Sequence, residues 1–230
     1  ATGPTPRVYT SADIAAAEQN GSLEALYAEV SASAAEAGAS KGAASLRALQ
    51  QQIGERLASQ RVSSIQAGLA QTTRVEGCLP LAAIEAQRPR MAPLAGWHPT
   101  SHQVMNAELE AEDLRTRTAI GDLRVRLEAL AASQVLERLQ LLDRLSALAG
   151  AGTSAQQGFA AEREQVLAGL SRDAALAIEA EDYEKARGML AILQQAKPDD
   201  VAAVEQLAAV DTKYFEKDFW QALQLGRPDE

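Results

Sequence analysis

Aromatic residues make up only 4% of this 230-residue chain, with three Phe, four Tyr and two Trp. Strands favour aromatic and β-branched side chains, so the shortage argues against a sheet-based fold. A single cysteine, Cys78, excludes an internal disulfide. It fits a reducing cytosol, or an exported protein that folds without disulfides. No run of about 18 apolar residues occurs, so no stretch reads as a membrane-spanning helix. Basic residues are outnumbered, 22 Lys and Arg against 31 Asp and Glu, and the net charge is −9. A nucleic-acid binder needs a basic footprint that releases counterions, and this balance excludes that class. The one basic cluster is Arg115, Arg117, Arg124 and Arg126. Asp113 and Asp122 precede Arg117 and Arg126 by four residues, the spacing of ordinary ion pairs on a helix surface. Nucleophile-elbow, phosphate-loop and dinucleotide glycine patterns are missing as well.

What is present in quantity is alanine, with 48 residues. Alanine is the best helix former, and an apolar fraction of 47% is that of a globular protein. The reading is an all-α protein of antiparallel helical hairpins. Residues 1–10 read as a flexible tail. The opening Ala-Thr-Gly-Pro-Thr-Pro has the character of a tether behind a cleavage site or a lipid anchor. Ser11 is placed to cap a short helix that Gly21 ends, and Ser22 to cap a second that Gly38 ends. Leu23, Leu26, Tyr27, Val30 and Ala34 give that second helix one buried stripe. From Ser40 to about Thr72, Leu46, Leu49, Ile53, Leu57, Ile65 and Leu69 keep the same spacing over a long helix. Residues 11–72 therefore read as a helical hairpin with one long arm.

Residues 73–104 hold Gly77, Pro80, Pro89, Pro93, Gly96 and Pro99, and read as a connecting loop with one short helix ending before Pro89. Helical periodicity returns over 105–226. Leu109, Leu114, Ile120, Leu123 and Leu127 mark it, and Ser133 is placed to start a further helix. Ser154 with Gln157 reads as a capping box, and Asp182 as another cap. Pro198-Asp199-Asp200 reads as the last turn. Val201, Val204, Leu207, Val210, Tyr214, Phe215, Phe219 and Leu223 read as the core face of the final helix, with Trp220 at its edge.

Over residues 167–226 the pattern resembles a tetratricopeptide repeat, a helix-turn-helix unit of about 34 residues. With Pro198 on the family's proline, Leu170 takes its first large position, Ala174 its glycine position, Ala186 its alanine and Leu190 its aromatic. Asp182-Tyr183-Glu184-Lys185-Ala186 is similar to its inter-helix turn. Asp173, Ala177 and Leu193 depart from the pattern. Val204, Leu207 and Ala208 fit only the first helix of a following unit, and no earlier repeat is found. The resemblance implies repeat-like helix stacking in the C-terminal third and a protein or peptide as partner.

Candidate chemistry is sparse. His98 and His102 with Cys78 are a conceivable zinc set. Pro99 holds His98 out of helix, however, so the two imidazoles do not share a helical face, and no cofactor or metal site is expected. The leading reading is a non-enzymatic adaptor or scaffold, an accessory factor of a bacterial cell-envelope assembly, periplasmic or anchored at the outer membrane. A cytoplasmic location is the alternative. A structural subunit oligomerising through the long N-terminal helix and an enzyme with a Cys/His metal site are the competing functions. The last 70 residues carry −7 of the net charge, which favours a basic partner segment. Trp97, in the Pro-rich stretch, reads as a packing anchor or as a binding hot spot. In the second role it joins Glu179, Glu181 and Glu184 as the expected partner-binding residues. They would line a groove between the C-terminal helices and the 72–104 loop.

Overall fold

The computed structural model describes residues 8–38 and 41–224. The expected tail up to residue 7, Ser40 and residues 225–230 lie outside them. Helices occupy 84% of the described residues. No strand occurs among the described residues. A single bridge pairs Val75 with Cys78 across a tight turn, with Glu76 and Gly77 at φ 52° and 80°. The fold is all-α. Two compact units divide it, one ending at Thr118 and the other beginning at Ala119.

The first unit holds α1 (Ser11–Asn20), α2 (Leu23–Ala37), α3 (Lys41–Gln71), α4 (Leu81–Met91), α5 (Leu94–Trp97) and the first two-thirds of α6 (Pro99–Ala129). Thr10, rather than Ser11, caps α1, through a reciprocal pairing with Asp13. Ile14, Leu23, Leu26, Val30, Ile53 and Leu57 form one buried cluster of α1, α2 and α3. A second cluster gathers Ile65, Leu79, Ile84, Leu94, Met105 and Leu109. Trp97 packs against both. Its carbonyl lies so close to Gly54 that a Cβ there would come within 2.5 Å of it. The Tyr27 hydroxyl fixes the same corner by donating to the Gly96 carbonyl at 2.8 Å. Thr116 is fully buried, and its hydroxyl donates to the Leu79 carbonyl at 2.8 Å.

The loop expected over 73–104 is corrected by this arrangement. Only residues 72–80 and two short joints are non-helical there, and the rest belongs to α4, α5 and the start of α6. Pro80 caps α4, but that helix passes through Pro89 to Met91 instead of stopping before it. Proline breaks a helix by freeing the carbonyl four residues back. Here Pro89 and Glu85 both lie on the exposed side of α4, while Leu81, Ile84 and Met91 are buried on the other side. Pro99 is the first residue of α6, where its missing N–H costs nothing.

The second unit continues along α6 and adds α7 (Val135–Ala149), α8 (Ser154–Glu179), α9 (Tyr183–Ala196) and α10 (Val201–Gln224). Each of these packs on the next in sequence. Ala174, Ala177 and Ala186 let α8 and α9 approach, and Leu167, Leu170, Leu190 and Leu193 are buried with them. Thr153, not Ser154, caps α8, its hydroxyl accepting from the Gln156 N–H at 3.1 Å. The helix expected at Ser133 begins at Val135 behind Gln134. Asp182 caps α9 as expected, accepting from the Lys185 N–H at 3.2 Å.

Two glycines give opposite predictions. Gly188→Ala, at an exposed position of α9 with open space around it, should raise stability by about 1 kcal/mol in urea melts. Gly54→Ala should lower it by roughly 1–3 kcal/mol, because the added methyl meets the Trp97 backbone. Leu190→Asp places an unpaired carboxylate at a fully buried position and should cost several kcal/mol. A wild-type melting temperature for that variant would refute the packing of α8 on α9.

Candidate functional site

The expected partner-binding residues separate by unit. Trp97 belongs to the first, half-buried between two core clusters, with the Arg61 guanidinium 5.5 Å from its ring centre. That ring is committed to holding α5 on α3. Glu179, Glu181 and Glu184 belong to the second unit, all exposed around the α8–α9 turn. The stretch expected as the loop wall of a groove is mostly helical, in α4, α5 and the start of α6.

Around the α8–α9 turn the structure builds a charged and aromatic surface. Glu181 adopts the left-handed conformation at φ 57°, and its carbonyl accepts from Lys217 Nζ of α10 at 3.0 Å. Lys213 and Lys217 both approach the Tyr183 ring, at 5.8 and 5.6 Å from its centre. Arg187 pairs with Asp211 at 2.6 Å and lies over the rings of Tyr214 and Phe215, at 5.5 and 5.6 Å. A shallow cavity of about 290 Å³ results. Glu181, Asp182, Glu184 and Asp218 supply its acids, and Tyr183, Tyr214, Lys217 and Gln221 complete the lining. Glu181 and Glu184 thus come together in one site, whereas Glu179 does not line it.

Beside this cavity, α10 departs from the expected single core face. The expected core face of α10 splits into two stripes. Ala203 and Val210 are buried against α9, with Leu207 and Tyr214 partly covered. Phe215, Phe219 and Leu223 face solvent instead, at 57%, 54% and 46% exposure, and Trp220 is 59% exposed. Tyr214 with Phe215 and Phe219 with Trp220 make edge-to-face pairs, at 5.5 and 5.7 Å between ring centres. Val201, Val204 and Ala208 extend the exposed stripe toward the start of the helix. The signal was in the sequence. Val201, Val204, Ala208, Phe215 and Phe219 follow their own 3–4 spacing, offset from Ala203, Leu207, Val210 and Tyr214. α10 thus packs one apolar side on α9 and leaves the other exposed.

His98 accepts at Nδ1 from the Ser101 N–H at 3.2 Å and meets the Ser101 hydroxyl at 2.8 Å, which places the imidazole over the first turn of α6. Cys78 is buried. Among the described residues no three His, Cys, Asp or Glu side chains gather where they could hold a metal. No described helix is long and apolar enough to cross a membrane. Comparison with protein-family models, curated proteins and solved structures gives no match.

Protein purified without added metal should therefore hold far less than one zinc per chain by elemental analysis, and chelator should leave its melting temperature unchanged. Stoichiometric zinc would revive a Cys/His site.

Proposed function

We propose that the chain is a non-enzymatic helical adaptor, and that α10 receives an amphipathic helix of a partner protein. The observation that carries this reading is the exposed aromatic stripe of α10. Two of the three phenylalanines and one of the two tryptophans of an aromatic-poor chain lie in solvent on adjacent turns. Exposed apolar patches of this kind mark interaction surfaces, and Trp is among the residues that dominate binding energy. The tetratricopeptide-like reading supports the same conclusion. In it α8 and α9 form one unit, and α10 matches the first helix of a further one. A partner helix laid along the exposed stripe would place anchors at i, i+3, i+4 and i+7.

Charge narrows the partner. Glu181, Asp182, Glu184 and Asp218 border the cavity beside the stripe, and Glu205 and Glu216 lie exposed along α10. A partner helix that is apolar on one face and basic along its edge satisfies both features and is drawn in by the negative field. A bacterial cell-envelope location, periplasmic or anchored at the outer membrane, belongs to this proposal on composition alone. The fold asks for no disulfide, so that compartment and the cytoplasm differ only by fractionation.

A photoreactive amino acid at position 219, activated in cells of the source organism, should cross-link one protein through a basic amphipathic segment. Phe215→Ser with Phe219→Ser should weaken its binding by about 30-fold or more. Glu181→Lys with Glu184→Lys should weaken it less, and should flatten its dependence on salt between about 50 and 500 mM. Trp97→Ala should lower melting temperature and leave affinity alone. Wild-type affinity in the double serine variant would move the binding surface off α10.

A further inference from the structure

We propose that two copies of this chain pair through the outward face of α6, antiparallel and related by a twofold axis. Within the first unit, α6 carries two stripes. Met105, Leu109 and Thr116 are buried in that unit's core. On the other side Val104, Ala107, Ala111, Leu114 and Thr118 are all exposed, Leu114 at 67% and Val104 at 54%. Their spacing of 3, 4, 3 and 4 is the heptad seam by which one helix packs along another. The Arg115–Arg117 region thus belongs to a helix with a second face to cover. By contrast, the open face of α3 is polar, presenting Gln51, Gln52, Glu55, Arg56, Ser59 and Gln60. Self-association is therefore assigned to α6 and not to the long N-terminal helix.

Charge on the edges of the seam selects a second copy as the occupant. Glu108 and Arg115 lie along one edge, Glu110 and Arg117 along the other, acids before bases in both cases. In an antiparallel pair with Ala111 of one copy against Leu114 of the other, Glu108 stands opposite Arg115 of the second copy. Glu110 stands opposite its Arg117. The twofold axis repeats both pairs, as an isologous interface requires. Arg117 uses Nε on Asp113 and Arg115 uses Nη1 on Glu112, so each guanidinium retains N–H donors for a second carboxylate.

Shape selects the antiparallel direction. Each central layer then sets a larger residue on a smaller one, Leu114 on Ala111 and Thr118 on Ala107. A parallel pair would stack Ala111 on Ala111 and Leu114 on Leu114, alternating a void with a crowded layer. Ala111 also borders a groove of about 520 Å³, lined by Leu69, Ala70 and Leu79 with Arg74, Glu108, Glu112 and Arg115 at its polar side, which receives the second copy's Leu114.

Sedimentation equilibrium on the full chain tests this. The wild type should approach twice the 24.4 kDa chain mass at tens of micromolar. Leu114→Asp, at an exposed position, should be monomeric with an unchanged melting temperature. Glu108→Arg with Glu110→Arg makes an all-basic seam, and Arg115→Glu with Arg117→Glu an all-acidic one. Each should associate at least tenfold more weakly than wild type, and their equimolar mixture should dimerise again. Spin labels on Thr100→Cys should lie about 35–40 Å apart in the dimer, from the 1.5 Å rise per residue. A wild type monomeric at about 200 µM overturns the proposal, as does either charge variant dimerising like wild type or a mixture that stays monomeric. A label distance under about 15 Å overturns the antiparallel direction.

Discussion

Leucine set over alanine between closely approaching helices is the contact on which the rest of this molecule depends. In α8 and α9, Ala174, Ala177 and Ala186 are buried with Leu170, Leu190 and Leu193. In the first unit Ala17 and Ala58 lie in clusters dominated by Leu, Ile and Met. A chain with so few aromatic rings cannot fill wide gaps between helices, so the gaps must be narrow. Close-packed interiors leave no voids, which turns each small residue into a position where the neighbouring backbone must come near. Gly54 is the extreme case, with the Trp97 carbonyl in the space a side chain would need.

The same economy leaves two helices half used. α6 and α10 each bury one apolar stripe and expose another, and the exposed stripes differ in kind. That of α6 is narrow, small-residued and edged by charges of both signs in an order that complements itself. That of α10 is aromatic and bordered mainly by acids. Burial of apolar area drives association in proportion to that area, while edge charge decides which partner is accepted. A self-complementary edge points to another copy, and an acidic edge points to something basic.

Much of the fold was legible because helix ends are set by a few neighbouring groups. Asp182 caps α9, Gly21 and Gly38 close α1 and α2, and Pro198-Asp199-Asp200 separates α9 from α10, all as local chemistry dictates. The same reasoning failed over 73–104. There four prolines suggested a loop, yet each of them sits where its missing N–H does no harm. Pro80 and Pro93 are caps, Pro99 opens a helix and Pro89 faces water. Of the candidate site, the acids of the α8–α9 turn were visible as charge. Trp97 could be read from the sequence as packing or as binding, and only its place against two core clusters decides for packing.

The sequence by itself determined that this is a helical protein, where most of its helices begin and end, and that it carries net negative charge into its last third. Those properties come from hydrogen bonds and torsions within a few residues, and from a simple count of charges. Tertiary structure alone decided which apolar stripe of each helix is buried. Leu114 and Phe219 carry the same periodic signal as Leu109 and Val210, and only the placement of neighbouring helices distinguishes them. Periodicity states that a helix has an apolar face. Whether that face meets the protein's own core or is left for another molecule depends on what the rest of the chain puts beside it.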